Sequence, residues 1–122
     1  MTARIALKLR LWREDEVAMG PGKADLLEAI GQTGSISAAA RAMQMSYRRA
    51  WLLVDVMNRS FREPLVRSAV GGTRGGGAQL TEAGARVLAQ FRVMEDAALT
   101  AAAAHLAPLV DELSDQAPGG GA

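Results

Sequence analysis

Two helix-start signals stand close together in one stretch of the chain, and they limit what it can become. Ser35 or Ser37 can cap a short helix running through about Met43, and Ser46 is a good N-cap for a second helix. Ala38, Ala39, Ala40 and Ala42 give the first of these helices a small-residue surface that lets another helix approach closely. Gln44 and Met45 are left to make the turn. Two helices so short and so near one another form a helix-turn-helix, in which the second helix enters the DNA major groove and its first turn reaches base edges.

At about 100° per residue, Tyr47, Ala50, Trp51, Val54, Met57 and Phe61 of the second helix fall on one side, the expected core face. Arg48, Arg49, Leu52, Asp55, Val56 and Arg59 fall on the other. Arg48 and Arg49 therefore sit in the first turn of an outward face. Ser46 and Tyr47, at a helix start with free N–H groups, are placed for backbone phosphate. The plainer alternative is an amphipathic helix with a solvated arginine face. Leu52 and Val56 fit that alternative poorly, and they suit thymine methyls, the core or a partner protein.

The flanking segments fill out a domain. Ile5, Leu7, Leu9 and Leu11 alternate with Ala6, Lys8, Arg10 and Trp12, the period of a half-buried strand. After Gly20-Pro21-Gly22, Leu26, Leu27 and Ile30 define one face of a helix that Gly31 and Gly34 end. Pro64 stops the Arg-rich helix, Leu65 to Val70 reads as a strand, Gly71 to Gly77 as a glycine-rich turn, and Ala78 to Leu80 as the returning strand. A hairpin in that place, carrying Arg67 and Arg74, corresponds to the wing of a winged helix. Thr81 caps a last helix reaching about Ala107, where Pro108 interrupts it and starts one more turn through Leu113. The fold class is mainly α with a small β-sheet: a winged helix-turn-helix with a long C-terminal dimerisation helix. The expected division is 1–81 for the DNA-binding domain, 82–114 for the dimerisation helix and 115–122 for a disordered tail.

In that last helix Gly84, Val87, Phe91, Met94, Ala98, Ala101 and His105 recur at alternating spacings of three and four, a seam widened by Leu88. So long a helix exceeds what one small domain covers, and a homodimer is the economical reading. The alternative is that its first turns cover the domain's own core while the rest extends into solvent.

Charge supports a nucleic-acid partner although the formal net charge is only +1. From Ser35 to Thr81 the basic residues are Arg41, Arg48, Arg49, Arg59, Arg62, Arg67 and Arg74, against Asp55 and Glu63 alone; from Glu82 onward two arginines face six acids. Arginine's planar fork suits phosphate and guanine. The chain has no Cys and a single His, so thiol chemistry and Cys/His zinc sites are excluded. No Gly-x-Ser-x-Gly turn accompanies the lone His105, and the reading is of a non-enzyme with no cofactor and no metal. The glycine-rich turn and Gly20-Pro21-Gly22-Lys23 both lack the Gly-Lys-Ser/Thr ending of a P-loop. No apolar run approaches a membrane span, and the expected location is cytoplasmic.

The run Gly34-Ser-Ile-Ser-Ala-Ala-Ala40, with Ser46-Tyr-Arg-Arg-Ala-Trp51, Met57-Asn58, Leu65-Val-Arg67, Gly71-Gly72, Gly75-Gly-Gly77 and Leu80-Thr-Glu-Ala-Gly84, resembles the N-terminal DNA-binding domain of ModE-type molybdate-responsive transcriptional regulators. It is more distantly similar to the LysR-type domain. The resemblance spans about Ile5 to Leu99 and implies a winged helix-turn-helix dimerised through its last helix. It also implies that Ser46, Tyr47, Arg48 and Arg49 begin the recognition helix and that Thr73 to Gly77 form the wing tip. Full-length members continue into paired oxyanion-binding domains, so molybdate sensing is not expected of a chain ending soon after the last helix. Taken together, the expected DNA-binding residues are Ser35, Ser37, Ser46, Tyr47, Arg48, Arg49, Leu52, Arg67, Thr73, Arg74, Gly75 and Gly76. Those of dimerisation are Val87, Leu88, Phe91, Met94, Ala98, Ala101 and His105. Expected partners are double-stranded DNA on an inverted repeat, a second copy, and a further regulator or RNA polymerase. A different class of reading is an interaction protein that pairs with a full-length regulator and binds DNA weakly.

Overall fold

The computed structural model describes residues 2–69 and 77–116. The elements run β1 (Leu11–Arg13), β2 (Glu16–Met19), α1 (Pro21–Thr33), α2 (Ile36–Ala42), α3 (Tyr47–Ser60), β3 (Val66–Ala69), β4 (Gly77–Leu80), α4 (Glu82–Ala103) and α5 (Ala107–Glu112). Two antiparallel hairpins, β1–β2 and β3–β4, flank the helices. This is the winged helix fold, mostly helical with two small sheets. Met19, Leu26, Leu27, Ile30, Val54, Met57 and Leu65 are wholly buried at its centre, and among the described residues no polar or charged residue is buried.

Local chemistry sets most boundaries. The side chains of Ser35, Ser46 and Thr81 accept hydrogen bonds from the backbone N–H of Ala38, Arg49 and Gly84, capping α2, α3 and α4. α1 runs through Gly31 and ends at Gly34, whose φ of 72° is the left-handed conformation that a Cβ disfavours. The carbonyl of Gly34 accepts from Ala78 N at 2.9 Å, tying the end of α1 to β4.

The hairpin β3–β4 is pinned from two sides. Asn58 of α3 accepts from Leu65 N (2.8 Å) and Val66 N (3.1 Å) and donates to Val66 O (3.1 Å). Thr81 N donates to Leu65 O at 3.0 Å, and the Thr81 hydroxyl donates to Pro64 O at 2.6 Å. At Gly84 an added Cβ would lie 2.1 Å from Leu65 O, so α4 reaches this strand only where it has no side chain.

Three expectations are corrected. The N-terminal strand does not run from Ile5 to Trp12: β1 begins at Leu11, and its ladder partner is β2, for which the sequence reading has no strand. β2 has only four residues before Gly20-Pro21 turns the chain into α1, so no strand remains to pair with residues 2–10. Glu14 and Asp15 between two short apolar segments were the overlooked turn signal. α4 stops at Ala103 rather than Ala107, because Pro108 opens α5 and the chain bends before it. His105 consequently lies in that bend, exposed and off the helical seam. Third, Ala83, Gly84 and Phe91 are buried in the same core as α1 and α3, so the first half of α4 packs as part of the domain assigned to residues 1–81. The tail expected from residue 115 falls, from 117 onward, outside the described residues.

Candidate nucleic-acid interface

α3 presents three directions to its surroundings. Ala50, Val54 and Met57 point into the core, with Leu53 half-buried beside them. Arg48 and Leu52 point away from it, and Leu52 is 56% exposed. Tyr47 and Trp51 occupy one flank, 53% and 42% exposed, with their rings edge-to-face at 6.4 Å. Their expected core position is therefore corrected: they lie at the margin of the apolar stripe, over a hollow rather than over α1 and α2. The hollow, about 340 Å³, opens between α3, the start of α2 and the hairpin, with Ser37, Tyr47, Trp51, Asn58 and Ser68 among its walls.

The opposite flank carries Arg49. A second cavity of about 250 Å³ lies there, lined by Arg49, by Lys23 and Gly20 to Gly22 at the start of α1, and by Arg10 before β1. The Lys23 ammonium donates to the Val17 carbonyl. Burial lowers its pKa from the ordinary lysine value, while the negative charge of Glu16 acts the other way.

The arginines divide by what they touch. Arg59 is held by Asp55 at 3.0 Å and lies 4.0 Å from Glu16; the Asp55 hydrogen bond raises its pKa further. Arg86 faces Glu63 at 3.7 Å. Arg92 joins α4 to α1 through Asp25 (2.8 Å) and Glu28 (3.5 Å) and bonds Glu95 at 3.0 Å, and the Asp25 hydrogen bond leads in raising its pKa. Arg10, Arg48, Arg49, Arg62 and Arg67 make no ion pair among the described residues. With Arg4, Lys8, Arg13, Lys23 and Arg41, which also make none among the described residues, they can meet an external anion.

The sequence-derived set is thus partly gathered. Ser46, Tyr47, Arg48, Arg49 and Leu52 stand together at the exposed start of α3. Ser35 is committed to capping, and Ser37 accepts from Arg41 at 3.4 Å at the exposed start of α2. Arg67 lies on β3 opposite Gln79, whose amide oxygen accepts from it at 2.7 and 2.9 Å in the orientation that satisfies both groups. Thr73, Arg74, Gly75 and Gly76 fall outside the described residues. Sequence reasoning gave Asn58 no role beyond a motif, and it passed over Arg10 and Lys23.

On the dimerisation list, Phe91 is buried in the protomer and Val87 and Leu88 are half-buried against its core. Met94 is 41% exposed and Ala101 is exposed, whereas Ala98 is half-buried. Leu11, Met19, Phe61, Val87, Phe91 and Met94 enclose an apolar groove of about 220 Å³. Among the described residues there is no cluster of metal-ligating side chains and no helix long and apolar enough to cross a membrane.

Residues 23–85 match the family of bacterial regulatory helix-turn-helix proteins, lysR family. The chain is 42% identical over 96 residues to the molybdenum transport protein ModE of Azotobacter vinelandii, covering 78% of this chain and 36% of that protein. It is 49% identical over 77 residues to the molybdenum-pterin-binding protein MopB of Rhodobacter capsulatus, covering 63% and 28%. With the DNA-binding transcriptional dual regulator ModE of Escherichia coli (strain K12) the identity is 36% over 94 residues, covering 77% and 35%. The chain spans about a third of the length of these curated relatives.

Proposed function

Since the chain belongs to the bacterial regulatory helix-turn-helix proteins of the lysR family, we propose that it is the DNA-reading part of a transcription regulator that binds an inverted repeat as a homodimer. The observation that carries this reading is the exposed first turn of α3, where Ser46 caps the helix and Arg48 points outward beside Leu52 with no acidic partner among the described residues. Arg48 reads a base edge, and Leu52 supplies an apolar surface that suits a thymine methyl. The hairpin β3–β4, with Arg67, follows the backbone beside the groove. This activity belongs in the cytoplasm and is not enzymatic.

The second copy is supported by the apolar groove along α4 and by Val93, Met94 and Leu99, which are 57%, 41% and 40% exposed. A two-fold dimer presents two α3 helices, so the half-sites stand about one helical turn, ~34 Å, apart or a multiple of it. The test is selection of bound duplexes from genomic fragments, followed by anisotropy titrations with wild type and Arg48→Ala. The variant is expected to lose about 1–3 kcal/mol on the selected duplex and to relax preference at one base position. Unchanged affinity and preference in Arg48→Ala, with a duplex affinity that is weak and indifferent to sequence, would favour the interaction protein that pairs with another regulator through exposed Leu52 and α4.

A further inference from the structure

Arg48 and Arg49 are neighbours in sequence, yet about 100° of helical rotation separates them, and the structure sends them to different surroundings. Arg48 projects opposite the core, whereas Arg49 turns to the flank and shares its cavity with Lys23 and Arg10. Three segments remote in the sequence thus bring three cations to one hollow. Arg10 and Arg49 have no ion pair among the described residues, and Glu16, the acid that acts on Lys23, also stands 4.0 Å from Arg59. Like charges gathered in this way repel one another unless an anion sits among them.

The proportions of α3 and duplex DNA say which anion. A helix with its side chains is about 10–12 Å across, close to the ~12 Å width of the major groove, so its two flanks face the two sugar-phosphate walls. One flank of α3 carries Tyr47, Trp51 and the hairpin β3–β4; the other carries the cavity. We propose that Arg10, Lys23 and Arg49 form a phosphate-binding site that takes a phosphodiester of the DNA backbone on the side of α3 away from the hairpin. Arg49 is then a positioning contact that sets the register of α3, and base reading is left to Arg48. The site rests on the DNA-binding reading above and adds to it a second wall of contacts.

The test is a set of anisotropy titrations on the selected duplex and a scrambled one at several salt concentrations. Arg10→Gln, Lys23→Gln and Arg49→Gln are each expected to weaken both duplexes alike and to lower the magnitude of the salt slope by about one unit. Lys23→Arg should retain the slope, and thermal melting of each variant separates lost folding from lost binding. A single methylphosphonate that neutralises the contacted phosphate should cost wild type affinity and cost Arg49→Gln much less. Sequence-specific binding with wild-type salt slopes in all three Gln variants would overturn this site alone. Saturable binding of inorganic phosphate by the DNA-free protein, with those slopes unchanged, would make the cavity a small-anion site and also overturn it. Absence of duplex binding by the wild type would overturn the functional reading itself.

Discussion

The first half of α4 buries Ala83, Gly84 and Phe91 and is clasped to α1 by Arg92, while the second half leaves Val93, Met94 and Leu99 exposed. Both halves carry the same alternation of three and four in their apolar positions. What differs is the cover: the first half packs against α1, β4 and Leu65, and the groove with Leu11 and Met19 reaches as far as Met94, whereas Val93 and Leu99 stay exposed. An apolar seam shows that a helix face wants cover, and it is silent on whether the cover is the chain's own core or another copy.

Four variants test that contrast. Phe91→Ala is expected to lose most, roughly 3–5 kcal/mol of unfolding free energy in urea, because it empties a buried aromatic site. Equal stability of the variant and wild type would place Phe91 outside the protomer core. Gly84→Ala follows at about 1–3 kcal/mol, since the new methyl meets the Leu65 carbonyl and either α4 or the segment leading into β3 has to move. Thermal melting that leaves Gly84→Ala unchanged would mean that the close approach of α4 to β3 is not needed.

Arg92→Gln is expected to cost no more than about 1 kcal/mol, and less in high salt, because its partners Asp25 and Glu28 are largely solvent-exposed and such pairs are screened. A large loss that persists in high salt would show the clasp to be more than a surface ion network. The double change Met94→Glu with Leu99→Glu should alter protomer stability least, within about 0.5 kcal/mol, while shifting the proposed dimer to a monomeric mass in light scattering. A dimeric mass retained by that variant would move the interface away from the outer half of α4. Phe91→Glu is unsuited to this last question, since it would unfold the protomer before it could report on association.

α3 shows the same limit of the sequence at finer scale. Helical rotation alone separated Ala50, Val54 and Met57 from Arg48 and Leu52, and the structure agrees at each of these five. It misplaced Tyr47 and Trp51, which lie at the edge of the stripe, where a small displacement of the neighbouring element decides between core and solvent. It also grouped Arg49 with Arg48 on one outward face, although Arg49 shares a cavity with residues far away in the chain.

The features legible from the residues alone are local. Ser35, Ser46 and Thr81 each bond an N–H three residues on, Gly34 accepts a left-handed backbone, and Pro108 opens α5. These effects depend on a handful of neighbouring atoms and can be read residue by residue. Packing of the whole chain was needed to show that β1 pairs with β2 rather than extending through residues 2–10, that Phe91 belongs to the protomer, and that Asn58 pins the hairpin. It alone brought Arg10 and Lys23 to the side of Arg49. Burial and charge proximity sum contributions from segments far apart in the chain, and those sums exist only once the helices have packed.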